Sequence, residues 1–200
     1  MGGIETDYLV VGAGAAGMAF VDELIGACDA DVVMVDRRHV PGGHWNDAYP
    51  FVRLHGPSAL YGVNSRSLGS DSIEQTGPNA GYYPRATAAE ICDYYQRVLD
   101  EHLLPSGQVR FFGMSEYMAA GRGEHRFVSR LTGDATTVRV RRKVVDARYL
   151  EPSIPATHVP SFDAEPGVRL IPVNDLVRLD GPASGFTVIE IGRASCRERV

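Results

Sequence analysis

Six residues near the amino terminus, Gly12-Ala13-Gly14-Ala15-Ala16-Gly17, constrain this chain more than any other feature. They spell GxGxxG between an apolar run, Tyr8-Leu9-Val10-Val11, and a stretch from Ala13 to Ile25 that reads as a helix. A second apolar run, Val32-Val33-Met34-Val35, completes a strand-helix-strand start. Each glycine has a physical reason: Gly12 permits a tight turn, Gly14 lets a pyrophosphate approach the backbone, and Gly17 lets helix and strand pack closely. The helix N-terminus offers unpaired N–H groups and the positive end of its dipole to phosphates, which puts Ala15 and Ala16 with the glycines among the cofactor-binding candidates. Asp36 closes the second strand, where a carboxylate accepts hydrogen bonds from ribose hydroxyls. Together these residues predict an α/β, Rossmann-like domain that binds a dinucleotide. On this motif FAD and NAD stay open, and Arg37 with Arg38 admits NADP through a 2′-phosphate or is simply a pair of solvated loop arginines.

Composition narrows the function class. With 44% hydrophobic and 22% charged residues, the 200-residue chain is an ordinary globular one. A formal charge of -5 argues against a nucleic-acid surface, which needs a clustered basic excess. No basic leader opens the chain, and no apolar run approaches the ~18 residues of a spanning helix, so no membrane partner and a cytoplasmic location are expected. Cys28, Cys92 and Cys196 form no CxxC pair, which speaks against a disulfide framework or a thiolate zinc site. His44 and His55 lack the neighbours that would make a metal site, so no metal is expected.

Beyond the second strand, Arg37 to Pro84 is rich in Gly, Pro, Ser and Asn and reads as an extended segment, with one short helix near Ser58-Val63. So long a loop in a compact domain is usually functional. Thr87-Ala88-Ala89-Glu90 fits a capping box, and the apolar spacing that follows predicts a helix over 88–103. Three β-rich runs, Val109-Phe112, Arg126-Leu131 and Thr136-Val140, predict a small antiparallel meander with a turn at Thr132-Gly133-Asp134. Val144-Val145, Arg169-Ile171 and Phe186-Ile189 read as further strands.

Pro41-Gly42-Gly43-His44-Trp45 resembles the GGxW loop of flavin-containing and Baeyer-Villiger-type monooxygenases, and the resemblance continues through Tyr49-His55 and Tyr61-Ser65. It implies FAD lying along Gly43, His44 and Trp45, with NAD(P)H as hydride donor in an intact parent and oxygen or a small molecule as acceptor. Physically, paired glycines let the backbone run close to a ligand, and Trp45 supplies a flat wall with one N–H donor. Related disulfide reductases carry a redox cysteine pair after these glycines; Trp45 stands here instead, which excludes a thiol relay through this segment. Asn64 is the one side chain singled out for catalysis, because its position resembles a family asparagine beside the flavin; a loop-turn role explains it equally well. Two departures bear on the chemistry. Arg148 replaces the glycine of the family's Ala-Thr-Gly strand end, and the FxGxxxH monooxygenase fingerprint is absent around Phe162-Val173.

The last ten residues, Ile191 to Val200, back-translate to a common short-read sequencing adapter. The expectation is therefore a partial FAD-binding domain over 1–190, incomplete at its carboxyl end, with 191–200 not native and the nicotinamide-binding half missing. For the fragment itself, enzymatic activity stays open. The rival readings are a non-catalytic FAD- or NAD-binding module and an NAD(P)-binding dehydrogenase. Substrate and oligomeric state are not written in the sequence.

Overall fold

The computed structural model describes residues 3–119, 121, 124–148, 159–160, 162–181 and 185–189. Two compact units divide the chain, Met1–Ile154 and Pro155–Val200.

The first unit is built on β1 (Ile4–Val11), α1 (Ala15–Ala27) and β2 (Val32–Val35), the strand-helix-strand start expected from the sequence. The segment after β2 holds a 3-10 turn at Gly43–Asp47, a second at Ser58–Leu60, and a minimal hairpin of β3 (Gly62–Val63) and β4 (Arg66–Ser67). Then come α2 (Ala88–Val98), β5 (Val109–Phe112), β6 (Ser115–Ala119), β7 (His125–Ser129) and β8 (Ala135–Asp146). A π turn at Leu99–Leu103 prolongs α2. The predicted capping box is present: Glu90 N–H donates to the Thr87 hydroxyl at 3.3 Å, and Thr87 N–H donates to the Glu90 carboxylate at 2.7 Å.

Six strands form one sheet in the order β5-β2-β1-β8-β7-β6. β5, β2, β1 and β8 are parallel, β7 pairs antiparallel with β8, and β6 pairs antiparallel with β7. Successive side chains of a strand face opposite sides, and here both sides are covered. Val10, Val32 and Met34 join a core with Met18 and Val21 of α1 and Ile91, Tyr95 and Val98 of α2. Leu9, Val11, Val33 and Val35 face the other way, onto Phe127 and Val138 of the meander. Burial on both faces is why β1 and β2 read as unbroken apolar runs rather than alternating ones.

Three expectations need correction. Val109–Phe112 is not a strand of the meander; it is the parallel edge strand beside β2, reached by the α2 crossover. The meander's first strand is instead Ser115–Ala119, whose Ser, Glu and Ala have little β preference and gave no period. Thr136-Val140 and Val144-Val145 are one strand, β8, hidden by its run of cations. Those cations project to ion pairs: Arg139 with Glu5 at 3.0 Å, and Arg141 with Asp7 at 3.0 Å and Asp31 at 2.7 Å. In the second unit the described residues contain a 3-10 turn at Val173–Arg178, and neither 169–171 nor 186–189 forms a strand. The adapter-like tail lies outside the described residues.

Among the described residues no helix is long and apolar enough to cross a membrane, and no cluster of His, Cys, Asp or Glu is arranged to hold a metal ion.

Candidate functional site

In an open parallel sheet, ligands settle outside the carboxyl ends of the strands. β1, β2 and β8 end here at Val11, Val35 and Asp146, and the loops leaving them enclose a cavity of about 780 Å³. Such a volume falls within the range of small-molecule and cofactor sites.

The glycine loop forms its floor. Gly12 turns with a φ of +105° while its N–H donates to the Val35 carbonyl at 2.8 Å. Gly17 is buried beneath the loop, where a Cβ would lie 1.9 Å from the Gly12 oxygen. Gly14 caps α1 without a side-chain hydrogen bond, and Ala15 and Ala16 are exposed at the cavity. The first-turn N–H groups of a helix have no partner inside it, so this end of α1 faces the cavity with donors and positive dipole together.

Asp36, only 6% exposed, ties the floor to the wall. One carboxylate oxygen accepts the Ala13 N–H at 2.6 Å and the other accepts the Arg38 N–H at 2.7 Å. Since a carboxylate offers about four lone-pair sites, each oxygen retains room for one more donor. The Asp36 backbone also bridges strands, its N–H donating to Phe112 at 3.1 Å and its carbonyl accepting from Ser115 at 2.9 Å. Arg37 lines the cavity beside it, and Arg38 lines it while paired with Asp47.

The paired glycines close the near side. Gly42 N–H donates to the Ala13 carbonyl at 2.9 Å, so the second loop is hydrogen-bonded onto the first. Gly43, with a φ of +57°, approaches Gly14 so nearly that a Cβ on it would sit 2.9 Å from the Gly14 Cα. Asn46 fixes the turn by donating to the Pro41 and Gly43 carbonyls at 3.0 and 3.1 Å. His44 lines the cavity; desolvation by its surroundings, and then the Arg38 cation, hold its imidazole below the usual histidine range.

Of the residues singled out in the sequence, Gly12, Gly14, Ala15, Ala16, Asp36, Arg37, Gly43 and His44 therefore meet around one cavity, with Gly17 packed underneath. Two are placed elsewhere. Trp45 is not among the lining residues; it packs against the core on the α1–α2 side and tilts against the His44 ring at 5.1 Å. Asn64 sits in the β3–β4 turn, donates to Glu23 of α1 at 3.1 Å, and borders a separate groove with Tyr61 and Ser67. The geometry does not bring Asn64 to the glycine-loop cavity.

The sequence reading also missed lining residues. Ser115, Glu116 and Tyr117 enter from β6, and Asp146, Ala147 and Arg148 from the exit of β8. Arg148 donates through Nε and Nη2 to Asp146 at 3.0 and 2.9 Å, which holds the Asp146 carboxyl below the usual carboxylate range. Knowing that β8 lies parallel to β1 is the signal that finds this group, because both strands then end at the same edge of the sheet.

Residues 10–66 match the family described as NAD(P)-binding Rossmann-like domain. The chain is 48% identical over 190 residues to the uncharacterized protein Rv2000 of Mycobacterium tuberculosis, covering 95% of this chain and 34% of the relative. It thus spans about a third of the length of the curated relatives it matches. Among solved structures, the bacillithiol disulfide reductase Bdr (YpdA) of Staphylococcus aureus is similar at a TM-score of 0.51 with 11% identity, over 72% of this chain and 38% of that one. The closed crystal structure of cyclohexanone monooxygenase is similar at a TM-score of 0.50 with 20% identity, over 80% of this chain and 28% of that one. These two likenesses are of fold.

Proposed function

We propose that this chain, with its NAD(P)-binding Rossmann-like match and its flavoenzyme-like fold, is the FAD-binding part of a flavin-dependent NAD(P)H oxidoreductase. The observation that carries the reading is the contact of the two glycine loops. A single GxGxxG turn suffices for a dinucleotide's pyrophosphate, whereas here Gly42-Gly43 is hydrogen-bonded onto it and extends the binding surface toward His44. That longer lined path suits a dinucleotide with a bulky second half.

The residues fit the group. The exposed start of α1 at Ala15 and Ala16 would hold the pyrophosphate, the spare lone pairs of Asp36 would accept ribose hydroxyls, and Gly43 and His44 would border the path beyond the phosphates. Bound FAD would supply two-electron chemistry, taking hydride from a reduced nicotinamide and passing electrons to oxygen or another small acceptor. The protein's own share is placement. Gly17 and Gly12 seat α1 against the sheet so that its N–H groups face the phosphates, and Asp36 holds the loop in register through Ala13. Desolvation, and then the Arg38 cation, disfavour the charged form of His44, and its neutral imidazole would offer one N–H donor and one acceptor to the bound group. In the intact parent the nicotinamide would be held by further residues outside this chain, and the protein would work in the cytoplasm. Domain limits of 1–190, with a non-native tail, are part of the same proposal.

A second reading has its own support: Arg37 stands on the cavity beside Asp36, where a 2′-phosphate would lie if NADP were the occupant. Titrating the purified chain with FAD, FMN and NADP⁺ separates them. The flavin reading expects FAD to bind and FMN, which lacks the AMP half, not to. Binding of NADP⁺ without FAD would establish the second reading instead.

A further inference from the structure

Arg148 has no part in the reading above, yet its side chain is laid across the cavity. It leaves the end of β8 with its Cγ 3.3 Å from where a Gly12 Cβ would stand, and its guanidinium carbon lies 5.5 Å from the centre of the Tyr117 ring. Tyr117 is itself held in place, its hydroxyl hydrogen-bonded to His125 Nδ1 at 2.8 Å and the two rings stacked at 6.1 Å.

We infer that Arg148, supported by Tyr117, is the stacking platform for the purine base of the bound dinucleotide, acting through the flat face of its guanidinium rather than through its charge. This rests on the cavity being a dinucleotide site. Phosphates at the start of α1 and a ribose at Asp36 fix the direction of the ligand. The base leaves the ribose on the side away from the phosphates. On that side stands the start of β6, since Ser115 N–H donates to the Asp36 carbonyl at 2.9 Å, and Ser115, Glu116 and Tyr117 all line the cavity. Arg148 bridges the glycine loop and Tyr117 at this end.

The chemistry of its contacts decides which part of Arg148 is available. Nε and Nη2, the side of the fork that grips a carboxylate or phosphate bidentately, are taken by the two oxygens of Asp146 at 3.0 and 2.9 Å. A phosphate on that edge would have to displace the carboxylate, and elsewhere it would find only the Nη1 hydrogens and the outer Nη2 hydrogen. The planar face needs no such exchange, and a guanidinium plane stacks on a base as it does on an aromatic ring. Arg148 also remains partly exposed, its side chain at 40%.

The test is calorimetric titration of the 200-residue chain and its variants with ADP, FAD and inorganic pyrophosphate. Arg148→Lys keeps the charge and loses the plane; Arg148→Gly loses both. Stacking predicts that both weaken ADP and FAD about threefold to tenfold while leaving pyrophosphate unchanged. Tyr117→Leu, far away in sequence, should weaken ADP to a similar degree, which keeps the inference open to refutation if an Arg148 variant misfolds. Normal ADP binding in Arg148→Lys beside a loss in Arg148→Gly would assign the effect to charge and overturn the inference. Unchanged ADP affinity in well-folded Arg148→Gly would overturn it too. Failure of the unmodified chain to bind ADP or FAD is a different result, which removes the dinucleotide site and this inference with it.

Discussion

Replacing Gly17 by alanine tests how the glycine loop is built. The added Cβ would lie 1.9 Å from the Gly12 oxygen, 3.1 Å from its carbonyl carbon and 3.4 Å from the Ala147 Cβ. The obstacle is backbone, and it cannot yield by changing rotamer, because Gly12 is anchored to Val35 at 2.8 Å. Relief requires the start of α1 to lift away from β1, loosening Met18 and Val21 in the core. Overpacking costs about 1–3 kcal/mol and occasionally more, and a rigid obstacle puts this case at about 3 kcal/mol. In a domain of this size each kcal/mol lowers the midpoint by about 2–4 °C, so Gly17→Ala should melt roughly 6–12 °C below the unmodified chain. Gly14→Ala is the control. Its Cβ would stand 3.5 Å from the Gly43 Cα, an ordinary contact, and Gly14 has a φ of -77° that any residue adopts. It should shift the midpoint by less than about 3 °C. Circular-dichroism melts of the three proteins decide the matter. A Gly17→Ala midpoint within about 2 °C of the parent, or a Gly14→Ala midpoint as low as that of Gly17→Ala, would refute the close-packing account.

Asp36→Ala should weaken FAD binding by about 1.5–3 kcal/mol, the scale of a hydrogen bond to a charged group, measured by equilibrium titration; unchanged affinity would remove Asp36 from the site. Thr87→Ala should cost about 1 kcal/mol of stability near neutral pH, read from denaturant midpoints. That cost should shrink in acid: the Thr87 N–H and hydroxyl hold Glu90 below its unfolded pKa, so the stability it contributes is present above about pH 4.3 and is lost as pH falls through the folded value. A Thr87→Ala cost that is the same at pH 7 and pH 3 would contradict this. On the function proposed above, the 200-residue chain supplied with FAD should show no NADH or NADPH oxidation in stopped flow, since hydride transfer needs nicotinamide and flavin about 3–3.5 Å apart and the nicotinamide would be held by residues outside this chain. Parent-like rates in this chain would show that its residues suffice.

The first βαβ unit was legible because local signals agree there: an apolar run, a glycine turn and a helix follow in the order the fold uses them. The α2 helix was equally legible through its capping box and the spacing of Ile91, Tyr94, Tyr95 and Val98. Strand partners were not, because pairing is long-range. Val109–Phe112 has the composition of any short apolar strand, and only the α2 crossover makes it a neighbour of β2. β8 was broken in two by Arg141, Arg142 and Lys143, a charge run that reads as solvated loop until Glu5, Asp7 and Asp31 are placed beside it. The site followed the same division. Its glycine-loop half is contiguous in sequence and was found; its Ser115–Tyr117 and Asp146–Arg148 half is assembled by the sheet and was not. Trp45 shows how a motif can name the right segment while the side chain turns the other way, into the core.

The central claim is that the glycine-loop cavity holds FAD through its ADP half. The most direct measurement is titration of FAD into the purified chain, followed by flavin fluorescence, with ADP as competitor and Gly14→Val as the altered protein. Valine at 14 would fill the space between the two glycine loops, where even a Cβ already reaches van der Waals contact with Gly43. The account predicts saturable FAD binding, displacement by ADP, and loss of both in Gly14→Val. FAD that fails to bind, or that binds equally well to Gly14→Val and ignores ADP, would contradict it.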